Sequence, residues 1–507
     1  MTVSAPANDP ALKGAEPRTP GAAASAQQAH RAARSSKLGL GILSVYGSGA
    51  LVENITTVAI GGLLLFYLTI ICGLSGSLAG AALGATLVVD SFIDPVVGSI
   101  SDNSHSRHGR RHPFMIAAII PIVVAFGLLF SVPKGLSGLP LFGYALATLL
   151  SLRVAISFFY VPYMALGAEL TDDYAERSSV VAGRVFFTVI GGVCAAILMW
   201  GVFLKGTDGR FHGASYSPLA WTLGAIVAVG ALLSTFGTLG SRGRLHAAPA
   251  GGRFSPAQLG KEVLEVLRNR SFVSLFMPCL ILFTALGVAG TLTLHANTFF
   301  WKLGSGQILL LTLVAPIGVF IGIFGAGLLA RKIEKRTTAM LGLALIGIAQ
   351  LGPVMLRLGG VITLEQGMAT LAVATLLGGL GGSVATIAFQ SMMADAADEH
   401  EHLFGARREG LYFAGITLSA KASSGLGAWI GGIALDVIGF PHGVANPAVL
   451  AHIPAETIRN LGIAYGPGAS LFTVVSIAVL MTYKLSKADH ARIQADLQSR
   501  RAESAAG

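Results

Sequence analysis

Residues 82–102 read ALGATLVVDSFIDPVVGSISD. The run is apolar enough for membrane-crossing helix, yet it carries Asp90 and Asp94 one helical turn apart. A carboxylate inside a lipid-spanning helix is costly, so it faces a water-filled path or binds a cation or proton. Spacing i, i+4 puts both carboxylates on one face. Directly after comes SHSRHGRRHPF (residues 104–114), a basic turn before another apolar run.

The composition around this stretch agrees with a lipid environment. The chain has 507 residues, 53% hydrophobic and 12% charged, about half the charged fraction of about 25% in soluble proteins. Apolar runs of about 20 residues recur along the length, each long enough to span a bilayer as helix. The 65 glycines suit membrane helices, which use small residues for close approach. Twelve spans are predicted, at about 39–71, 77–101, 113–133, 139–168, 180–204, 218–240, 272–301, 306–330, 337–357, 367–395, 409–436 and 460–484. The expected fold class is therefore an all-α membrane protein with twelve transmembrane helices in two six-helix bundles. The bundles occupy 39–240 and 272–486. A polar tail (1–38), a central loop (241–271, with a short amphipathic helix in KEVLEVLRNR) and a frayed polar tail (487–507) complete the chain. The first tail lacks an apolar core and is no cleavable signal peptide.

Charge gives the orientation. Twenty-seven of the 35 Lys and Arg fall in the tails and the loops on their side, six fall in the opposite loops, and Arg153 and Lys421 lie within spans. This asymmetry predicts both termini in the cytoplasm and a multi-pass protein of the cytoplasmic (inner) membrane. The net charge of +10 is thereby explained without nucleic acid. Cys72, Cys194 and Cys279 are scattered in apolar segments and form no disulfide or zinc pattern. The spans at 139–168 and 367–395 both end in an acidic then basic stretch (ALGAELTDDYAERSSVVAGR and MMADAADEHEHLFGARREG), which suggests a parallel internal repeat.

At 1.5 Å per residue, Asp94 lies roughly 12 Å and Asp90 roughly 18 Å from the inner end of its helix, and Lys421 roughly 18 Å from the inner end of another. Asp90 and Lys421 thus meet near the midplane from opposite halves. Two ionised carboxylates this close repel, so the pair holds a proton or a cation. Both H⁺ and Na⁺ satisfy that argument. Thr417, one turn before Lys421, offers a hydroxyl to the ion or bonds back to its own helix. A fixed ion pair bracing the halves is the alternative to an ion site. Glu53 and Arg153 form a second candidate pair at similar depth, since an unpaired arginine there is expensive. With Asn54 and Tyr160 they are the candidate substrate contacts. Tyr163 and His295 are weaker candidates, because tyrosines in spans serve packing as readily as binding. The inner-loop charges Asp102, Arg107, Arg110, Arg111, Glu169, Asp172, Glu176, Arg177, Arg184, Asp395, Asp398, Arg407 and Arg408 are candidates for a cytoplasmic gate, or for solvated positive-inside charge.

Other motifs carry little. Arginines intersperse His105, His108 and His112, which argues against a metal site, as does the same reasoning for DEHEH at 398–402. Asn54-Ile-Thr56 lies inside a span, and GGLGGS at 378–383 follows no strand. No nucleotide-binding G-x-x-x-x-G-K-[ST] occurs. These readings predict an ion-coupled transporter rather than an enzyme, with no cofactor beyond the coupling ion.

Three runs then stand together: DSFIDPVVG…SRHGRRHPF, VPYMALGAELTDDYAERSSVVAGR and ADAADEHEHLFGARREGLYF…SAKASSGLGAWIGG. In order, over about 40–485, they resemble the glycoside–pentoside–hexuronide:cation symporters of the major facilitator superfamily, which include the melibiose permease. The resemblance implies that Asp90 and Asp94 bind Na⁺, Li⁺ or H⁺, with Lys421 and Thr417 beside them. It aligns Arg184 with the family's arginine at the start of helix 5, and Gly109, Arg110 and Arg111 with the superfamily's inner-loop motif. The sugar half departs from the family: Tyr160 stands where the permease has an aspartate, and Asn54, beside Glu53, aligns near another. A sugar or glycoside is the leading cargo; an amphipathic or anionic solute (lysolipid, organic acid, steroid) is the runner-up, which Arg153 favours. The expected partners are a small-molecule substrate and membrane lipids, with the chain a monomer.

Overall fold

A computed structural model describes residues 38–240, 264–443 and 452–506, apart from short breaks at 105, 107–108, 172, 207 and 406–407. His105, Arg107, His108, Asp172 and Arg407, with the first tail and most of the central loop, lie outside the described residues. The rest is helical. Helix α1 spans Leu40–Leu64 and continues through a wide turn, Tyr67–Ile71. It is followed by α2 (Gly76–Asp102), α3 (His112–Leu129), α4 (Gly138–Glu169), α5 (Tyr174–Ala196, extended by Ile197–Phe203) and α6 (Tyr216–Gly237). Beyond the central loop come α7 (Arg270–His295, extended by Ala296–Phe300), α8 (Ser305–Lys332), α9 (Lys335–Leu358), α10 (Leu364–Phe404), α11 (Glu409–Val437), α12 (Ala455–Ile463 through Gly468 to Ala469–Leu480) and α13 (Lys487–Ala506).

Eleven of these helices among the described residues are long and apolar enough to cross a membrane. Helix α11 has the length, 29 residues, but falls short in apolarity. Lys421, three serines (Ser419, Ser423, Ser424) and its glycines dilute it. Those same residues are its contacts: α11 packs along α2 and α7.

In chain order the helices divide at the central loop into a first set, α1–α6, and a second, α7–α12; the contact of α2 with α11 is among the most extensive in the fold. The turn that ends α1 recurs at the end of α7. Cys72 N bonds Tyr67 O at 2.9 Å and Leu74 N bonds Leu68 O at 2.8 Å; Trp301 N bonds Ala296 O at 2.8 Å and Leu303 N bonds Asn297 O at 2.8 Å. Gly73 (φ 78°) and Lys302 (φ 53°) hold the equivalent left-handed positions. Lys302 carries a side chain where glycine is favoured.

The sets interlock at the end of the molecule far from the chain termini. Helix α2 starts with free N–H groups, and Asp436 at the end of α11 accepts from Gly76 N at 2.7 Å and Ser77 N at 2.8 Å. A carboxylate there satisfies orphan donors and opposes the helix dipole. Arg210 donates to Thr298 Oγ1 at 3.1 Å and to Leu303 O at 2.5 Å. Thr69 and the ring of His295 bond at 3.0 Å within a layer of Phe66, Phe299 and Phe440 rings. Below this layer α2 and α11 touch backbone to backbone. A Cβ on Gly84 would stand 2.7 Å from Gly425 O, and one on Gly80 2.7 Å from Ala428 O. Only glycine permits that approach.

At the termini end the fold corrects one expectation. Residues 487–506 are not frayed: α13 is a 20-residue helix laid on the long extension of α10. Arg501 grips Glu401 with both contacts at 2.7 and 2.9 Å, and His490 reaches Asp398 at 3.1 Å. Ser486 caps its start, and the two hydrogen bonds it donates, from its hydroxyl at 2.6 Å and its backbone N at 3.4 Å, hold the Asp489 carboxyl below its usual range. The polar composition reads as a tail alone, but ion pairs to α10 supply the partner surface a short polar helix lacks.

Candidate functional site

The helical pitch delivers Asp90 and Asp94 to one face of α2, turned toward α11. Pro95 follows directly inside the helix; having no N–H, it leaves the Ser91 carbonyl without its usual helical donor. Lys421 Nζ donates to Asp90 Oδ2 at 2.8 Å and also to Asp94 Oδ2. The other oxygen of Asp90 accepts from Ser157 Oγ on α4 at 3.0 Å. Asp90's side chain is 6% exposed, whereas those of Asp94 and Lys421 are each 29% exposed. Two carboxylates thus share one ammonium group across the two sets of helices. The more open edge of the cluster lies toward the termini end, where Asp94 stands.

Glu53 belongs to the same field. It lies within electrostatic reach of Arg153, Asp90, Lys421 and Asp94. Arg153 and Glu53 nevertheless make no ion pair: Arg153 is 8% exposed, and its Nε has no hydrogen-bond partner among the described residues. Tyr160 lies near Glu53, Lys421 and Asp94. Tyr163 does not line a cavity; it is fully buried and stacks on Tyr46 at 4.7 Å. Asn54 turns toward α5, where its Oδ1 would meet a Cβ on Gly192 at 3.1 Å. Thr417 is exposed and donates to Phe413 O at 3.2 Å, so its hydroxyl serves its own helix here. His295 belongs to the far-end layer.

Several gate candidates form ion pairs, and these pairs join elements on the same side of the central loop. Glu169 on α4 accepts from Arg110 at 2.7 Å and Arg111 at 2.9 Å, and Arg111 also pairs with Asp102. Asp395 on α10 pairs with Lys335 at 2.6 Å. Asp398 is taken by His490, and Arg408 stands at the start of α11. Arg184 donates to Met164 Sδ at 2.7 Å rather than to a carboxylate, and faces the Tyr46–Tyr160–Tyr163 cluster.

A cavity of ≈ 260 Å³ lies between the sets, on the far-end side of the midplane. Gly61 and Gly62 of α1, Trp200 of α5, Asn297 of α7, Thr312 of α8 and Tyr465 of α12 are among its walls. Gly61 meets nothing within 4 Å of a built Cβ, so the glycines make the space. Its size is near the low end of ligand pockets, about 300–1,000 Å³. Aromatic faces with single hydroxyls and amides suit a small polar ring. Sequence reading missed these residues and Ser157. Thr, Asn and Trp within apolar helix carry no charge cost that would mark them out. No group of three or more potential metal ligands occurs among the described residues.

Comparison with known proteins places this geometry. The isoprimeverose transporter of Lactiplantibacillus pentosus is 25% identical, over 87% of this chain and 87% of that protein. The glucuronide carrier protein homolog of Escherichia coli is 25% identical, over 89% and 94%. Among solved structures, a bacterial homolog of the human lysosomal transporter Spinster, inward-facing and unoccupied, matches with TM-score 0.60 at 13% identity, covering 90% of this chain and 95% of that one. Residues 45–487 match the family model described as MFS/sugar transport protein, and the chain belongs to that family.

Proposed function

We propose that this membrane transporter is a secondary active symporter that couples entry of Na⁺ or H⁺ to uptake of a sugar or glycoside by alternating access. On this reading α1–α6 and α7–α12, with α11 counted as a span, are two six-helix bundles of a glycoside–pentoside–hexuronide:cation symporter. Both termini are cytoplasmic in the inner membrane, so the interlocked far end faces outward and the cation site is reached from inside.

One observation carries the proposal: Lys421 pairs with both Asp90 and Asp94 across the bundle interface. A proton or Na⁺ arriving between the carboxylates offsets the remaining charge and competes with Lys421 for them. Releasing Lys421 loosens the link from α11 to α2, so ion occupancy biases which side of the interface opens. The ≈ 260 Å³ cavity receives the sugar ring, and Glu53 and Tyr160 stand between it and the ion. A second reading concerns the charge of the cargo. Arg153 Nε is buried without a hydrogen bond, which suits a sugar carrying a carboxylate, and a relative is named as a glucuronide carrier homolog.

The test is uptake into proteoliposomes under an imposed Na⁺ or proton gradient, with neutral pentosides, hexosides and hexuronides as cargo. Gradient-dependent accumulation of one class is expected, falling at least about tenfold in Asp90→Asn and in Asp94→Asn, a loss of about 1.4 kcal/mol of coupling. Undiminished accumulation in both variants overturns the ion-site assignment.

A further inference from the structure

A crevice of ≈ 430 Å³ lies at the termini end between the start of α7 and the end of α12, away from the transport path. Arg268, Arg270 and Lys484 line it, with the hydroxyls of Ser271, Ser274 and Thr482. No carboxylate among the described residues lines it. Among the described residues, none of the three cationic side chains has an ion-pair or hydrogen-bond partner. The wall that runs into the spans is apolar: Val273 and Met277 on α7, the latter 41% exposed, and Val479 on α12.

The height of the crevice decides what it meets. The span of α7 begins at Arg270 and that of α12 ends at Leu480, so the three cations stand at headgroup level. Met277, seven residues into α7, lies roughly 10 Å deeper, at acyl-chain level. The crevice is cationic where the bilayer is polar and apolar where the bilayer is hydrocarbon. Basic pockets between helix ends on this side match anionic headgroups, with each Lys or Arg contributing near the surface.

We infer that this crevice binds an anionic phospholipid, its phosphodiester held by Arg268, Arg270 and Lys484 and an acyl chain laid along Val273, Met277 and Val479. The bound lipid bridges α7 and α12, the first and last helices of the second set. A free phosphate matches only the polar half of the crevice. A zwitterionic lipid brings its own cation toward three others.

Native mass spectrometry and thermal unfolding of the full chain in detergent test this. The probes are cardiolipin, phosphatidylglycerol, phosphatidylcholine and inorganic phosphate. Anionic lipid is expected to bind and to raise the unfolding temperature, while phosphatidylcholine and phosphate do not. The triple variant R268Q/R270Q/K484Q is expected to lose about a hundredfold in affinity. All three residues are exposed, so the variant folds, and its unaltered unfolding temperature without lipid checks that. Raised salt on the unsubstituted protein gives a second reading, weakening the interaction through screening. Equal binding of phosphatidylcholine, a shift by inorganic phosphate alone, or retained anionic lipid in the triple variant overturns the assignment.

Discussion

Lys421 holds two carboxylates with one charge, and every residue-scale consequence follows from that ratio. Replacing it with alanine leaves Asp90, 6% exposed, without its cation. Breaking a fully buried pair costs about 3–5 kcal/mol. Here water already reaches Asp94 and Lys421, so the expected loss is smaller, about 1–3 kcal/mol. Lys421→Ala should therefore lower thermal stability in the absence of coupling ion and recover part of it when the ion is added. A variant that unfolds like the unsubstituted protein and gains nothing from either ion would argue against the shared site. Ser157→Ala separates position from charge: it removes the hydroxyl on Asp90 Oδ1 while leaving the ion pair. It should weaken ion-dependent stabilisation by about 1 kcal/mol with little effect on ion-free stability. The charged members of this site were legible in the sequence because each is costly in lipid. Ser157 was not, since a serine in a span bonds its own helix at no cost and nothing in the chain marks which one faces an aspartate. Arg153 and Glu53 were legible as interior charges, but their lack of a direct ion pair depends on packing that composition does not encode.

At the scale of elements, the α2–α11 contact joins the ion site to the closed far end. Its glycines were readable as packing residues, but which helices they join was not, because Gly80 and Gly84 serve any small-residue partner equally. Gly84→Leu pushes a side chain into Gly425 O, 2.7 Å from where its Cβ must sit. Overpacking of this kind costs about 1–3 kcal/mol. Thermal unfolding in detergent should show that loss, and ion-dependent stabilisation should weaken with it because Lys421 no longer reaches α2 in register. Loss of stability with ion response intact would make the stripe packing alone. Helix boundaries followed the apolar runs closely. The misread element is α13, whose partner surface on α10 lies about a hundred residues earlier in the chain, as Arg501 and Glu401 illustrate. Local periodicity carries no record of such a partner.

For the whole molecule, the question is what holds the far end shut while the ion site stays reachable from the opposite end. The latches are polar and few: Asp436 on the start of α2, Arg210 on the end of α7, and Thr69 with His295. Their sequence signals were weak. Nothing in the sequence singles out Asp436, and His295 reads only as a weaker substrate candidate until the two sets are brought together. Asp436 is the strongest lever, since it accepts two backbone N–H bonds with a full charge. Removing it leaves the first donors of α2 open to water at the far end and withdraws interactions made only in the closed arrangement. Hydrogen bonds to a charged group contribute about 1.5–3 kcal/mol, and about 1.4 kcal/mol already changes a two-state population tenfold. Asp436→Ala should therefore shift the protein toward an outward-open arrangement. Gly61 supplies the reporter, because it lines the inter-set cavity with nothing within 4 Å of a new Cβ. With Cys72, Cys194 and Cys279 replaced by serine, a Gly61→Cys reporter should react slowly with an impermeant maleimide added outside cells. Adding Asp436→Ala should raise that rate about tenfold or more, and saturating cargo should lower it again. An unchanged rate, with the variant present in the membrane at normal level, would mean that the aromatic layer of Phe66, Phe299 and Phe440 keeps the far end closed without its polar latches.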